Sequence, residues 1–414
     1  MPFTHLLTPE ARKFLADHAG ADPAKLALQA ARFPRLPVRE LVQQLAARQR
    51  VREKLPTWAQ HPDVLFPPTL SLEQASSERT ARFKAGLVGG ETLADLTGGL
   101  GVDAWAFGET VSTVFYVERN AELASLAAHN LPTLGRQNVR FFSENAEDFL
   151  EKNGPFDWLY LDPARRDPAQ NRIFRLDECA PDVLKLKSFL LQKASNVLLK
   201  AAPLLDLDGA IRALQTVETV HVLAVKNEVK ELLFTLSRRG TEEPEIRAVN
   251  LPGTGGGDAF AFRRSEEAAA LVEFSSPERF LYEPHAALLK AGAFRLLAAR
   301  FGLKKLHPNS HLYTSQTPRA DFPGRIFWVK TLLKPDRQAL RAALPGGRAN
   351  LTVRNFPATV AELRKKLGLA EGGDDYVFAT TQPDGRHVLV VAEKWEARRV
   401  TAGAASGAPP PAPN

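Results

Sequence analysis

The stretch Glu91-Thr-Leu-Ala-Asp95-Leu-Thr-Gly98-Gly99-Leu-Gly101-Val-Asp103 joins a short apolar run to a glycine-rich turn, and Tyr116-Val-Glu118 ends the next apolar run in a second acid. A strand ending in an acid, a turn bare of side chains, a helix start and a second strand ending in an acid form the arrangement by which a doubly wound sheet holds an adenosine-bearing cofactor. Gly98, Gly99 and Gly101 let the backbone approach a ligand and adopt angles that side chains forbid. The carboxylate of Glu118 can accept both hydroxyls of a ribose.

A third acid follows. Phe156-Asp-Trp-Leu-Tyr-Leu161 runs into Asp162-Pro163-Ala164-Arg165-Arg166. An acid and a proline at the carboxyl end of a buried strand stand beside the cofactor crevice, and nicotinamide-binding folds have no standard use for them. The first loop, Gly99-Leu-Gly101-Val-Asp-Ala104, also departs from the nicotinamide pattern G-x-G-x-x-G. A carboxylate or carbonyl at this strand end can orient an amine and accept its proton, which makes Asp162, with Pro163, the candidate catalytic pair. The alternative is a strand-end cap or a support for the cofactor. Arg165 and Arg166 suit a phosphate or carboxylate, or an ion pair with Asp167 or Asp177.

Other chemistry-bearing residues read as structural. Cys179, the sole cysteine, has no histidine close in sequence and is expected to pack as a small hydrophobe. His307 and His311 are four apart, but Pro308 breaks the helix that would align them, and His285 stands apart. No metal site is expected. Lys200, Asp206 and the run Asn227-Glu-Val-Lys-Glu231 receive no chemical role, helix-start and ion-pair readings coming first.

The elements that must position these groups follow from apolar spacing. Residues 1–84 read as helices, with Leu26, Ala30, Phe33, Leu41, Leu45 and Val51 at roughly helical intervals and a further helix starting at Ser71. Residues 85–270 alternate strands and helices, which predicts a parallel sheet. Its strands fall at 92–96, 113–117, 139–142, 158–161 and 196–199, with 219–225 and 259–263 as a terminal pair and 251–258 as a hairpin-like connection. Residues 275–322 read as a small module around one helix from about His285 to Arg300. Residues 323–398 read strand (325–332), helix (336–344), strand (349–354), helix (357–367), strand (375–381), strand (387–393), a small α/β sandwich whose final hairpin turns at Pro383-Asp-Gly385. The tail 399–414 is low-complexity and expected to be disordered.

Composition bounds the partners. The chain has 414 residues, 44% hydrophobic and 24% charged, ordinary for a globular protein of several domains. One cysteine excludes an intramolecular disulfide and a cysteine-rich zinc site. The first residues lack the pattern of a signal peptide and no apolar run approaches a membrane span, so a cytoplasmic protein with no membrane partner is expected. The net charge is +7, and between Lys330 and Arg399 there are 13 Lys and Arg against 8 Asp and Glu, so most of the surplus lies near the C-terminus. That points to an anionic partner, or to a solvated basic surface.

Over residues 85–265 the chain resembles class I S-adenosylmethionine-dependent methyltransferases. Within them it is similar to a bacterial group that carries a ferredoxin-like module and a THUMP-like domain after the catalytic domain, here residues 275–322 and 323–398. The resemblance implies a doubly wound Rossmann-like sheet and S-adenosyl-L-methionine as cofactor. Asp95 and the loop of Gly98, Gly99 and Gly101 would cradle its methionine end and Glu118 its ribose. Asn145 and Ala146 fall where the family holds the adenine, an aspartate being more usual at position 145. Asp162-Pro163-Ala164-Arg165 resembles the Asp-Pro-Pro-Arg or Asp-Pro-Pro-aromatic motif of nucleic-acid N-methyltransferases, with Ala164 in place of the second proline and no aromatic at 165. The implied substrate is a base nitrogen in structured RNA, with Arg348, Arg354, Arg364, Lys365 and Lys366 as phosphate contacts. Their alternative is the solvated face of an amphipathic helix. A protein or small-molecule acceptor, or a non-catalytic RNA-binding scaffold, are the rival readings.

Overall fold

The computed structural model describes residues 3–67, 69–165, 176–253 and 257–396. The chain forms two compact units, Met1–Val220 with Glu231–Pro244, and His221–Lys230 with Glu245–Asn414.

The first unit opens with helices. Thr8 and Ser77 accept backbone N–H groups at the starts of Pro9–Asp17 and Glu78–Ala85, as N-caps do. The helix expected from Ser71 is interrupted. Thr69–Gln74 ends, and Ser77, not Ser71, caps the next one. The loop after the helix Pro56–Gln60 is tied down by Arg48, which donates to the carbonyls of His61, Pro62 and Val64 at 2.7, 2.7 and 2.6 Å. Fully buried Trp58 meets Trp105 edge-on at 6.2 Å, and Asn130 exchanges hydrogen bonds with the Leu65 backbone at 2.9 and 2.8 Å.

The sheet of this unit contains β1 (Thr92–Asp95), β2 (Thr113–Val117), β3 (Val139–Phe142), β4 (Phe156–Leu161) and, after the short ribbon strands β5 (Ala164–Arg165) and β6 (Cys179–Ala180), β7 (Ala194–Ala201). Their order is β7-β4-β1-β2-β3, all parallel. The chain steps outward from β1 to β3 and then returns to the other side of β1. A ligand crevice opens at the carboxyl ends beside such a reversal. Register aligns Asp95 with Tyr116 on β2 and with Tyr160 on β4, so Asp95, Glu118 and Asp162 leave the sheet at the same edge.

Beyond β7 the expectation of a terminal pair fails. Strand 219–225 is part of β8 (Val217–Val225), which turns back through Lys226 and Asn227, φ 51° and 65°, into β9 (Glu228–Ser237). β9 runs antiparallel to β7. Asn227-Glu-Val-Lys-Glu231 is therefore a tight turn and a strand start rather than a free polar cluster. Two successive residues of positive φ match the twist of a two-residue hairpin.

In the second unit, the predicted 259–263 strand is β11 (Asp258–Phe262), and its antiparallel neighbour is β10 (Glu245–Leu251). The connection 251–258 is their hairpin link, residues 254–256 of it lying outside the described residues. The single helix expected from His285 to Arg300 is two, Ala286–Ala291 and Arg295–Phe301. Gly292 closes the first at φ 79°, a conformation glycine adopts without strain. Glu267 starts the second by accepting the amides of Arg295 and Leu296 at 2.7 and 2.9 Å.

One sheet holds β12 (Phe280–Pro284), β13 (Lys304–Lys305), β14 (Tyr313–Ser315), β15 (Gly324–Leu333), β16 (Asn350–Val353), β17 (Asp375–Thr381) and β18 (His387–Lys394), in the order β13-β14-β12-β15-β18-β17-β16. Alternate side chains face opposite sides. Val377, Ala379, Leu389 and Val391 pack with Leu340, Leu344, Leu363 and Leu367 of the helices Arg337–Ala343 and Val360–Leu367. Phe378 and Val390 point the other way, onto Leu281, Leu306, Leu312 and Phe327. The hairpin at Pro383-Asp-Gly385 closes with Gly385 at φ 82° and Gln382 N–H donating to Arg386 O at 2.9 Å. Among the described residues, no helix is long and apolar enough to cross a membrane.

Candidate active site

The glycine loop is shaped by its neighbours. A Cβ on Gly98 would lie 2.2 Å from the Tyr116 ring, and one on Gly101 2.7 Å from Leu131, so neither position tolerates a side chain. Gly99 and Gly101 have φ 53° and 89°. Tyr116 Oη donates to Gly99 O at 2.5 Å, and Gly99 N donates to Glu118 Oε2 at 2.9 Å. The other Glu118 oxygen accepts Asn120 N at 2.8 Å. Glu118 therefore pins the loop to the end of β2. A carboxylate has roughly four lone-pair sites, which leaves acceptor capacity for a ligand hydroxyl.

Asp95 is 1% exposed, and its Oδ1 accepts Thr97 N at 3.1 Å. Oδ2 is buried without a hydrogen-bond partner among the described residues. Burial pushes this carboxyl well above the usual carboxylate range. Asp103 adds to the shift, the Thr97 amide opposes it, and Asp162 and Glu118 push it further. A cation beside Asp95 would relieve both the unmet acceptor and the repulsion.

Asp162 follows β4 with Pro163 buried behind it. Its amide donates to Thr97 Oγ1 at 2.7 Å, which links the ends of β1 and β4, and its Oδ2 accepts Lys200 Nζ. Ala164 and Arg165 continue as β5, antiparallel to Cys179 and Ala180 of β6, with Cys179 buried. Arg166 lies outside the described residues. Asn145 caps the helix Ala146–Lys152 by position, its side chain exposed and donating to Asp148 Oδ2 at 3.2 Å, and Ala146 is buried beneath it.

Beneath these groups lies an ionic cluster that the reading of the sequence missed. Lys84, fully buried, is 2.9 Å from Asp103 Oδ1 and 3.3 Å from Glu231 Oε2, and donates to Ser76 Oγ at 2.7 Å. Asp103 Oδ2 also accepts Ser76 Oγ and Tyr160 Oη at 2.8 and 2.9 Å. Burial pulls Lys200 down, yet Asp162, Glu231 and Asp103 outweigh it and hold the ammonium above its ordinary value. Burial raises Asp103, but Lys84 and Lys200 bring it below its usual range, whereas in Glu231 burial prevails and the carboxyl is raised. With Asp95 and Glu231 both pushed toward protonation, the cluster approaches neutrality. A signal existed for Lys84. It shares a helix face with Thr80 and Ala81 at i+4 and i+3 spacing, all buried.

Several other residues are plainly structural. Asp206 caps Leu207–Leu214 through Gly209 N at 3.0 Å, and Asn227 Oδ1 accepts Ala286 N at 2.7 Å. In the second unit, Arg354 donates to Glu283 Oε1 at 2.8 Å, and Arg325 occupies the other oxygen. Arg364 donates to Ala349 O at 3.3 Å and Arg348 to Glu371 O at 3.3 Å. Lys365 and Lys366 are exposed in the last turn of Val360–Leu367. Arg354 and Arg364 are thus committed within the fold, and the two lysines face solvent. No cluster of potential metal ligands occurs among the described residues.

Comparison with known proteins identifies the family. Over 313 residues, 72% of this chain and 80% of the relative, the sequence is 26% identical to an uncharacterized S-adenosylmethionine-dependent methyltransferase of Mycobacterium tuberculosis, found in two strains. A crystal structure described as that of a methyltransferase from Porphyromonas gingivalis W83 is 35% identical and superposes with a TM-score of 0.85, covering 93% of this chain and 97% of that one. The chain belongs to the S-adenosylmethionine-dependent methyltransferases. This methyltransferase also matches a ferredoxin-like domain at residues 280–323 and a THUMP domain-like family at 324–394. Its cofactor is S-adenosylmethionine. The residues present fit that group. Three acids, Asp95, Glu118 and Asp162, follow aligned strands at one edge of the sheet, a setting suited to a cationic ligand, and Asp95 offers an acceptor unmet among the described residues.

Proposed function

We propose that this methyltransferase, acting in the cytoplasm, methylates a base nitrogen in structured RNA. In this reading Asp95 and the loop of Gly98, Gly99 and Gly101 hold the methionine end of the cofactor, Glu118 its ribose, and Asn145 and Ala146 border its adenine. S-adenosylmethionine, when bound, supplies an electrophilic methyl group on a sulfonium sulfur. The protein's task is then to desolvate and aim the acceptor nitrogen. Asp162, with Oδ2 held by Lys200 and its amide by Thr97, has Oδ1 to accept an N–H of the acceptor and take the proton that methylation releases. Pro163 stiffens the chain at that point, and Arg165 and Arg166 lie next to it in sequence to meet a phosphate.

The observation that carries this reading is the Asp-Pro strand end beside the glycine loop, in a chain with a THUMP domain-like region and a basic surplus at the C-terminus. Lys365 and Lys366 are the accessible phosphate contacts, with Arg354 and Arg364 shaping the surface around them. Mass spectrometry of RNA nucleosides from cells with and without the protein tests it. Loss of one methylated nucleoside is expected. An unchanged nucleoside profile, with labelled methyl groups entering the protein or small-molecule fraction, would replace RNA as the acceptor.

A further inference from the structure

The second unit contains a cleft of about 420 Å³ whose walls include Leu271, Val272, Phe274, Phe294, Arg295 and Lys305. Leu271 and Phe274 are 84% and 43% exposed, an unusual display of large apolar side chains beside a concave surface. Lys305, by contrast, is 2% exposed. Its Nζ donates to Pro308 O at 2.8 Å and lies 5.7 and 6.0 Å from the ring centroids of Phe294 and Tyr313. Among the described residues, no carboxylate comes within ion-pair distance of it. Glu267, which also borders the cleft, has both oxygens engaged by the Arg295 and Leu296 amides.

A buried ammonium normally has an anionic partner. Lys305 has one carbonyl, two ring faces and further N–H donors. Arg295 adds an exposed guanidinium at the same cleft, with, among the described residues, its Nη1 engaged by Ala268 O at 3.3 Å. Phe294 is a firm wall, since His311 stacks on it at 3.6 Å.

We propose that this cleft binds a small aromatic anion, its charged group on Lys305 and Arg295 and its ring against Leu271 and Phe274. The volume suits a ligand of one or two rings. The depth of Lys305 selects a terminal anion, because a phosphate within a duplex backbone cannot enter far enough to reach it. Burial also pulls the Lys305 ammonium down to about 8, so it stays largely charged at neutral pH while lacking the hydration an anion would replace. An aryl carboxylate and a nucleotide with a terminal phosphate share this chemistry.

Fluorescence titration of the full chain with 8-anilinonaphthalene-1-sulfonate, with S-adenosylhomocysteine at saturation to block the cofactor crevice, tests the site. One saturable site is expected. Lys305→Met should weaken it by about tenfold or more, the loss of a charged hydrogen bond. Leu271→Asp, at an exposed position that cannot disturb the core, should weaken it by several-fold. Displacement by indole-3-acetate alone assigns a free aryl carboxylate, and displacement by adenosine 5′-monophosphate assigns a nucleotide. Wild-type affinity in Leu271→Asp, or displacement by neither compound, would overturn the proposal even if Lys305→Met failed to fold.

Discussion

Lys200 Nζ, at the end of β7, hydrogen-bonds Asp162 Oδ2 at the end of the adjacent β4. The lysine is nearly buried and the aspartate one-third exposed, so the pair holds the acid by one oxygen at the sheet edge. In the proposed reaction Lys200 acts as a positioning residue for the strand-end acid. Lys200→Met should lower kcat for methyl transfer by more than tenfold with little change in cofactor affinity, and Lys200→Arg should recover part of the loss. Equal kcat in the Met and Arg variants would show that the ammonium only supports folding.

Glu118 both accepts the Gly99 amide and sits where a ribose is expected. Glu118→Ala removes charge-assisted hydrogen bonds and should weaken S-adenosylmethionine by about 1.5–3 kcal/mol, measured by calorimetry. Unchanged affinity would remove the ribose assignment.

Lys84 is the cation between Asp103 and Glu231. Lys84→Met leaves a buried carboxylate uncompensated, and removing one member of a buried pair costs about 3–5 kcal/mol. Urea unfolding should show that loss. A change under about 1 kcal/mol would mean the cluster rearranges.

Much of this architecture was readable from the sequence. β1 to β4 stand out because each apolar run ends in an acid or a turn residue at a regular interval, and that punctuation placed Asp95, Glu118 and Asp162 together. The β8–β9 hairpin was hidden because Lys226-Asn227 turns without a glycine. The buried cluster was hidden for another reason. Lys84 and Glu231 are 147 positions apart, and only the folded chain brings them within reach. The break at Gly292 was a lone glycine within a helical pattern, which periodicity alone does not resolve.

Two histidines of the second unit, His221 and His285, are buried and held near 4 by loss of solvent. In the unfolded chain they titrate near 6.5, so below that pH the unfolded state binds more protons. Stability should therefore fall as pH drops from about 6.5 toward 4, by roughly 1.4 kcal/mol per pH unit for each histidine. His285→Asn, which keeps an N-cap, should flatten that slope in urea midpoints measured between pH 7 and 5. An unaltered slope would show that His285 is not held neutral.

In the proposed reaction the strand-end acid, not the cofactor grip, prepares the acceptor amine. The direct test is transfer of labelled methyl groups to RNA from cells lacking the protein, by wild type and Asp162→Asn, with S-adenosylmethionine affinity measured on the same samples. Cofactor affinity should stay within a few-fold of wild type while transfer falls roughly a hundredfold or more. Undiminished transfer by Asp162→Asn would contradict it.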